Sequence, residues 1–174
     1  MSVVEHIRLG VVVERRRVDQ PWLTERWRVV DVLPDAPEAV AAGTVLAQGD
    51  GRQRMYAGAV EVELYAGDTG AYRDNLTSSR PAVYVVLRRR GDGYALHGAT
   101  VDPGEIEAHA DAGDDLIEAV PLPPGLAARI AAFVERPFHK RQRTPADPEA
   151  LGRPPGPRRE RRAAPVAPVG GDGP

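Results

Sequence analysis

The chain of 174 residues contains no cysteine, has one lysine (Lys140), and keeps aromatic residues to 5% of its positions. The absence of cysteine excludes disulfides, thiolate nucleophiles, iron–sulfur ligation and cysteine zinc sites, and it suits a reducing compartment. No glycine-rich stretch ends in Gly-Lys-Ser/Thr, so a Walker-type phosphate loop is excluded as well. Serine occurs at Ser2, Ser78 and Ser79. None stands in a Gly-x-Ser-x-Gly turn or beside a histidine, and a nucleophile needs a positioned base. No apolar run approaches the ~20 residues that span a bilayer. The opening Met1-Ser2-Val3-Val4-Glu5-His6 has neither the basic nor the long apolar region of a secretory signal. The expectation is a soluble, cytoplasmic protein without a membrane partner.

Metal chemistry is equally thin. The histidines are His6, His97, His109 and His139. Glu105 and His109, four apart on a helix, share a face and resemble half a metal site. Two ligands do not make a site, and the surrounding Asp102, Glu107, Asp111, Asp114 and Asp115 read as a solvated acidic face. Glu61 and Glu63 alternate with Val60, Val62 and Leu64, which is the wet face of a strand rather than an acid/base pair. No metal, cofactor or catalytic residue is assigned.

What is present is unevenly distributed. Residues 1–138 carry 15 basic and 21 acidic side chains, a net of −6, whereas residues 139–174 carry 8 basic and 4 acidic, a net of +4. The second stretch also holds 8 of the 17 prolines and few large apolar residues. Such a composition cannot bury enough surface to offset the entropy of ordering. One folded domain over 1–138 and a disordered Pro/Arg-rich tail over 139–174 are expected. Lys140-Arg141-Gln142-Arg143 and Arg158-Arg159-Glu160-Arg161-Arg162 in the tail are basic, but the acidic body and the lack of a basic recognition helix argue against a specific nucleic-acid binder.

The folded part reads as α+β: an antiparallel meander of about five to seven strands with one or two packed helices. Its organising stretch is Arg8–Pro34. Leu9-Gly10-Val11-Val12-Val13 and Arg28-Val29-Val30-Asp31-Val32-Leu33 form a hairpin-like pair, and a long connection carries Trp22 and Trp27. Both indoles are expected near the first arginine triplet, at least one of them largely buried. Asp35–Gly43 suggests one or two helical turns or a compact loop. Gly49-Asp50-Gly51 and Gly91-Asp92-Gly93 mark two further hairpins. Asp68 or Thr69 opens a short helix through Leu76, with Tyr72, Arg73 and Asn75 on its outer side. Asp102-Pro103-Gly104-Glu105 is a helix start that ends by Gly113. Asp114–Val120 reads as a last edge strand. Leu126, Ile130, Phe133 and Val134 fall on one helical stripe that should pack on the sheet.

Two arginine triplets remain, Arg15–Arg17 and Arg88–Arg90, each at the exit of an apolar strand. If those exits converge, they make a cationic patch that grips phosphate or carboxylate through the guanidinium fork.

Several segments together resemble a proteobacterial family of uncharacterised proteins encoded beside molybdenum-dependent formate dehydrogenase genes. They are Gly10-Val11-Val12-Val13-Glu14-Arg15-Arg16, Pro21-Trp22 with Trp27-Arg28, Ala71-Tyr72-Arg73-Asp74-Asn75-Leu76, Pro81-Ala82-Val83-Tyr84-Val85-Val86-Leu87-Arg88 and Pro137-Phe138-His139-Lys140-Arg141-Gln142-Arg143. The resemblance implies a non-catalytic accessory or maturation role, with a formate dehydrogenase subunit or its assembly factors as partner. The alternative is a binding module for an anionic small molecule, a pterin or nucleotide phosphate. The surface proposed for either role comprises Arg15, Arg16, Trp22, Trp27, Tyr72, Arg73, Asn75 and Arg88.

Overall fold

The strand that organises the domain is much longer than its apolar run. In the computed structural model, which describes residues 3–110 and 113–138, β1 extends over Val3–Gln20 and β2 over Leu23–Leu33. The two are joined by a two-residue turn at Pro21 and Trp22, with Gln20 opposite Leu23. The expected long connection is thus itself a ribbon. The strand continues past Val13 because each of Glu14–Arg17, and then Gln20, still has a lateral partner on β2, even where neither face is apolar. The tail expected over 139–174 lies outside the described residues.

After the loop over residues 34–44, β3 (Val45–Gly49) and β4 (Arg52–Tyr65) form the next hairpin. No helix forms in that loop. Asp50 and Gly51 both take positive φ, 52° and 73°, the pair of left-handed conformations that a two-residue turn needs to match the strand twist. A single turn of 3-10 helix and α1 (Thr69–Thr77) lead to β5 (Ala82–Arg90) and β6 (Gly93–Thr100). Then come α2 (Pro103–Ala110), β7 (Asp115–Pro121) and α3 (Pro124–Val134). Asp102 opens α2 by accepting the Gly104 N–H at 2.8 Å, whereas Asp68 occupies the N-cap of α1 without a side-chain cap bond.

Among the described residues the fold is α+β, with seven antiparallel strands and three α-helices. The strands divide into two sheets, β2-β1-β4-β3 and β6-β5-β7, rather than one meander. The division follows from α1, which separates β4 from β5 in sequence and sends the chain to a new sheet. Met1–Phe138 is one compact unit.

One core serves both sheets and α3. Ile7, Leu9, Val11 and Val13 of β1 meet Val62 and Leu64 of β4, Val83, Val85 and Leu87 of β5, and Leu126, Ile130 and Phe133 of α3. The helical stripe read from the sequence is the buried one. Phe133 packs edge-on against Tyr72 and tilted against Phe138. Polar contacts fix α3 to the start of β1, since Glu5 holds both Arg129 at 2.6 Å and Arg136 at 2.8 Å. No described helix is long and apolar enough to cross a membrane.

Candidate functional site

Burial is confined to one half of the first sheet. Residues 7–13 of β1 are buried apart from Arg8, whereas residues 14–24 of β1 and β2 and all of β3 are exposed or partly exposed. Leu9 is 0% and Trp22 81% exposed. The far half of the sheet therefore stands out from the core as a ribbon. Its last link to the β3–β4 hairpin is the Arg17 N–H donated to the carbonyl of Gly51 in the turn, at 2.9 Å. Beyond this, residues 18–24 continue as a two-stranded overhang of roughly 10 Å.

Alternation gives the ribbon two distinct faces. On the face continuous with the core lie Arg15, Arg17, Glu25 and Trp27. The Arg15 guanidinium sits 5.9 Å from the Trp27 ring centre, a cation–π geometry. Arg15 also donates to Gln53 Oε1 at 2.8 Å and lies 3.8 Å from Glu25. Trp27 is half-buried and meets Tyr94 edge-on at 6.0 Å. It lies so close to the β5–β6 turn that a Cβ on Gly93 would come to 3.0 Å from the indole, so a larger residue there would have to displace the ring. The indole Nε1 is buried without an acceptor among the described residues. Trp27, Tyr94, Arg90, Met55 and Leu96 line a crevice of about 580 Å³ where β4 meets β6.

The opposite face has a different character. Arg16 pairs laterally with Arg26 of β2 and Arg52 of β4, and Glu14 pairs with Arg28 and Arg54. Five arginines and one glutamate thus stand in two adjacent rows. Sequence reasoning missed this grid, because Arg26, Arg28, Arg52 and Arg54 meet Arg16 only through strand register.

The expected surface is only partly assembled. Arg15 and Trp27 are in contact, Arg16 is on the other face, and Trp22 is at the tip of the overhang. Arg88 is elsewhere. It alternates with the core residue Leu87, so it points away from the core. There it makes a bidentate pair with Asp115 at 3.2 and 3.3 Å. Arg88 therefore takes no part in a shared patch, whereas Arg90, at the far end of the same triplet, lines the crevice beside Trp27, the ring that the Arg15 guanidinium approaches. Arg88 holds the Asp115 carboxyl below its ordinary range. Partial desolvation, and then the Arg88 charge, lower His97, which faces His109 at 6.2 Å.

Tyr72 and Asn75, expected on the outside of α1, are 2% and 3% exposed. Arg73 is exposed. Asn75 is retained in the interior by its hydrogen bonds. Its amide donates to the Ala82 and Val101 carbonyls at 2.8 and 2.9 Å and its oxygen accepts the Ala82 N–H at 3.0 Å. That satisfied set locks α1 to β5. Tyr72 accepts the Tyr65 N–H through its hydroxyl at 2.9 Å, and burial pushes its pKa up to about 12. Both are parts of the scaffold, not of a surface.

Glu105 and His109 have different neighbours. Glu105 gathers with Asp68 and Asp102, carboxylate oxygens within 4.8 Å of one another, while His109 lies 4.0 Å from Asp115. Asp102 is already engaged in capping α2.

The geometry defines a two-sheet α+β domain from which a polar, two-faced β-ribbon projects. Within that class, the chain belongs to the family of proteins of unknown function DUF3305, matched over residues 8–145. Comparison with curated proteins and with solved structures gives no match.

Proposed function

We propose that this chain is a non-catalytic accessory factor that works in the cytoplasm by binding a protein partner through its ribbon. The observation that carries the reading is Trp22, held 81% exposed at the end of an overhang that adds nothing to the core. An indole kept in water on a β-turn is a poor use of a large apolar ring in a folding unit, whereas Trp and Arg dominate interface energetics. Molybdenum-dependent formate dehydrogenase, or the factors that assemble it, is the partner implied by the resemblance of the Gly10–Arg16, Ala71–Leu76 and Pro81–Arg88 segments, among others, to proteobacterial proteins encoded beside its genes.

Co-purification from a host that makes the dehydrogenase tests the proposal. The tagged full chain should bring down a dehydrogenase subunit or assembly factor, and Trp22→Ala should lose it while keeping its thermal stability. Recovery of the tagged chain with neither would overturn the reading.

A second reading draws on the crevice beside Trp27. Aromatic walls from Trp27 and Tyr94, the buried indole N–H and the Arg90 guanidinium suit a planar anion such as a pterin or a nucleotide phosphate. It differs from the arginine patch expected from the sequence, since Arg88 takes no part. Thermal-shift measurements with such ligands separate the readings, because a ligand at 100 times its Kd adds about 2.7 kcal/mol.

A further inference from the structure

We infer that the arginine face of the ribbon is a docking surface for an acidic protein segment. This deepens the accessory reading and rests on it for the claim that the partner is a protein. Arg16 stands between Arg26 and Arg52 at directly opposed positions of an antiparallel sheet. Like charges placed opposite one another in neighbouring strands destabilise the pairing. Here they are stacked three across. Next to them, Arg28 and Arg54 flank Glu14, and the two rows together carry a net charge of +4.

Local neutralisation is slight. Glu14 pairs with Arg54 at 3.2 Å, and Arg16, Arg26, Arg28 and Arg52 have no carboxylate within ion-pair distance among the described residues. This face points away from the core, which takes the alternate residues Val11, Val13 and Trp27. Adjacent strands lie ~4.8 Å apart and alternate residues along a strand ~6.7 Å apart, so the guanidinium groups form a lattice rather than a pocket. A lattice suits a chain of charges, each carboxylate taken by one guanidinium fork.

The charge of the remainder selects the kind of polyanion. Residues 1–138 carry a net of −6 despite this face. A nucleic acid extends its field far past the ribbon and meets that acidic body, whereas a short acidic segment engages the arginines alone. The same outer face carries Glu61 and Glu63 at its other end, beside Arg8 and His6. A second copy is therefore the chief competing occupant.

The test uses the full chain and a fluorescein-labelled peptide of eight glutamates, followed by anisotropy at low salt. Wild type should bind, with affinity falling as salt rises. The triple variant Arg16→Gln/Arg26→Gln/Arg52→Gln should bind at least tenfold more weakly, while Arg80→Gln, elsewhere on the surface, binds as wild type does. Melting temperature should stay level or rise in the triple variant, as repulsion is relieved. Should that variant fail to fold, Arg26→Gln and Arg52→Gln singly should each weaken binding severalfold. Equal binding by wild type and variants would overturn the proposal. So would tighter binding of an eight-residue oligothymidylate than of the peptide, or a dimer in sedimentation that the triple variant dissociates. Peptide binding without any dehydrogenase component in the co-purification overturns the accessory reading alone. Co-purification that survives loss of peptide binding overturns this surface alone.

Discussion

The two halves of β1 differ more than any two elements of the fold. From Ile7 to Val13, alternate residues enter the shared core and the others are covered or carry a single charge. From Glu14 to Gln20 the same strand, flanked at first by both neighbours and at its end by β2 alone, buries no residue fully. The backbone ladder continues and the hydrophobic reason for it stops. What keeps the outer half in register is inherited: the inner half fixes the pairing, and tight turns at Pro21–Trp22 and Asp50–Gly51 close the ends. A protein that needed only a stable domain would end these strands near Val13. The extra length presents side chains, and the inner half supplies the rigidity with which it does so.

That contrast sets the order of expected effects. Leu9→Ala, at the fully buried end, should cost ~3–4 kcal/mol, read as a shift in urea midpoint at constant slope. A loss below ~1 kcal/mol would mean that the inner half is not the anchor. Asn75→Ala strands the Ala82 N–H and two carbonyls inside the protein, and should cost about 2–3 kcal/mol. Asn75→Asp should be still worse at neutral pH and partly recover in acid, where the carboxyl is protonated and uncharged. The tryptophans sharpen the comparison within one hairpin. Trp27→Ala, which empties the contact with Tyr94 and Gly93, should cost ~2 kcal/mol. Trp22→Ala should move stability by less than ~0.5 kcal/mol.

The smallest effect lies outside the ribbon. His97 is exposed, yet its pKa is lowered in the folded state, first by partial desolvation of the ring and next by Arg88. The unfolded chain then binds the proton more readily, so stability is full above the ordinary value of 6.5 and falls as pH drops through it. Asp115, held low by Arg88, acts in the same direction in more acid solution, below its ordinary 3.8. His97→Gln should flatten the pH dependence of the melting temperature just below 6.5 and leave the more acid limb to Asp115.

Legibility in the sequence follows the same division. Val60–Leu64 and the Leu126–Val134 stripe were readable because each has one dry and one wet face, which periodicity reports. The Asp102 cap and the Asp50–Gly51 turn were readable because their chemistry is local. The outer halves of β1 and β2 were not, since a ribbon with both faces polar has no apolar alternation and resembles a connection. The arginine grid was hidden for another reason: Arg16, Arg26 and Arg52 are far apart in sequence and only the register of β2-β1-β4 brings them side by side. Tyr72 and Asn75 misled because α1 is short and polar, and an asparagine enters a core only where backbone groups wait for it.

The most direct test is native-state amide hydrogen exchange along β1, with and without the acidic peptide. Amides of residues 7–12 should exchange only through global unfolding and ignore the peptide. Amides of residues 14–20 should open locally at lower free energy and become slower when the peptide binds. Uniform protection along the whole strand, or slowing confined to its buried half, would contradict the division on which the account rests.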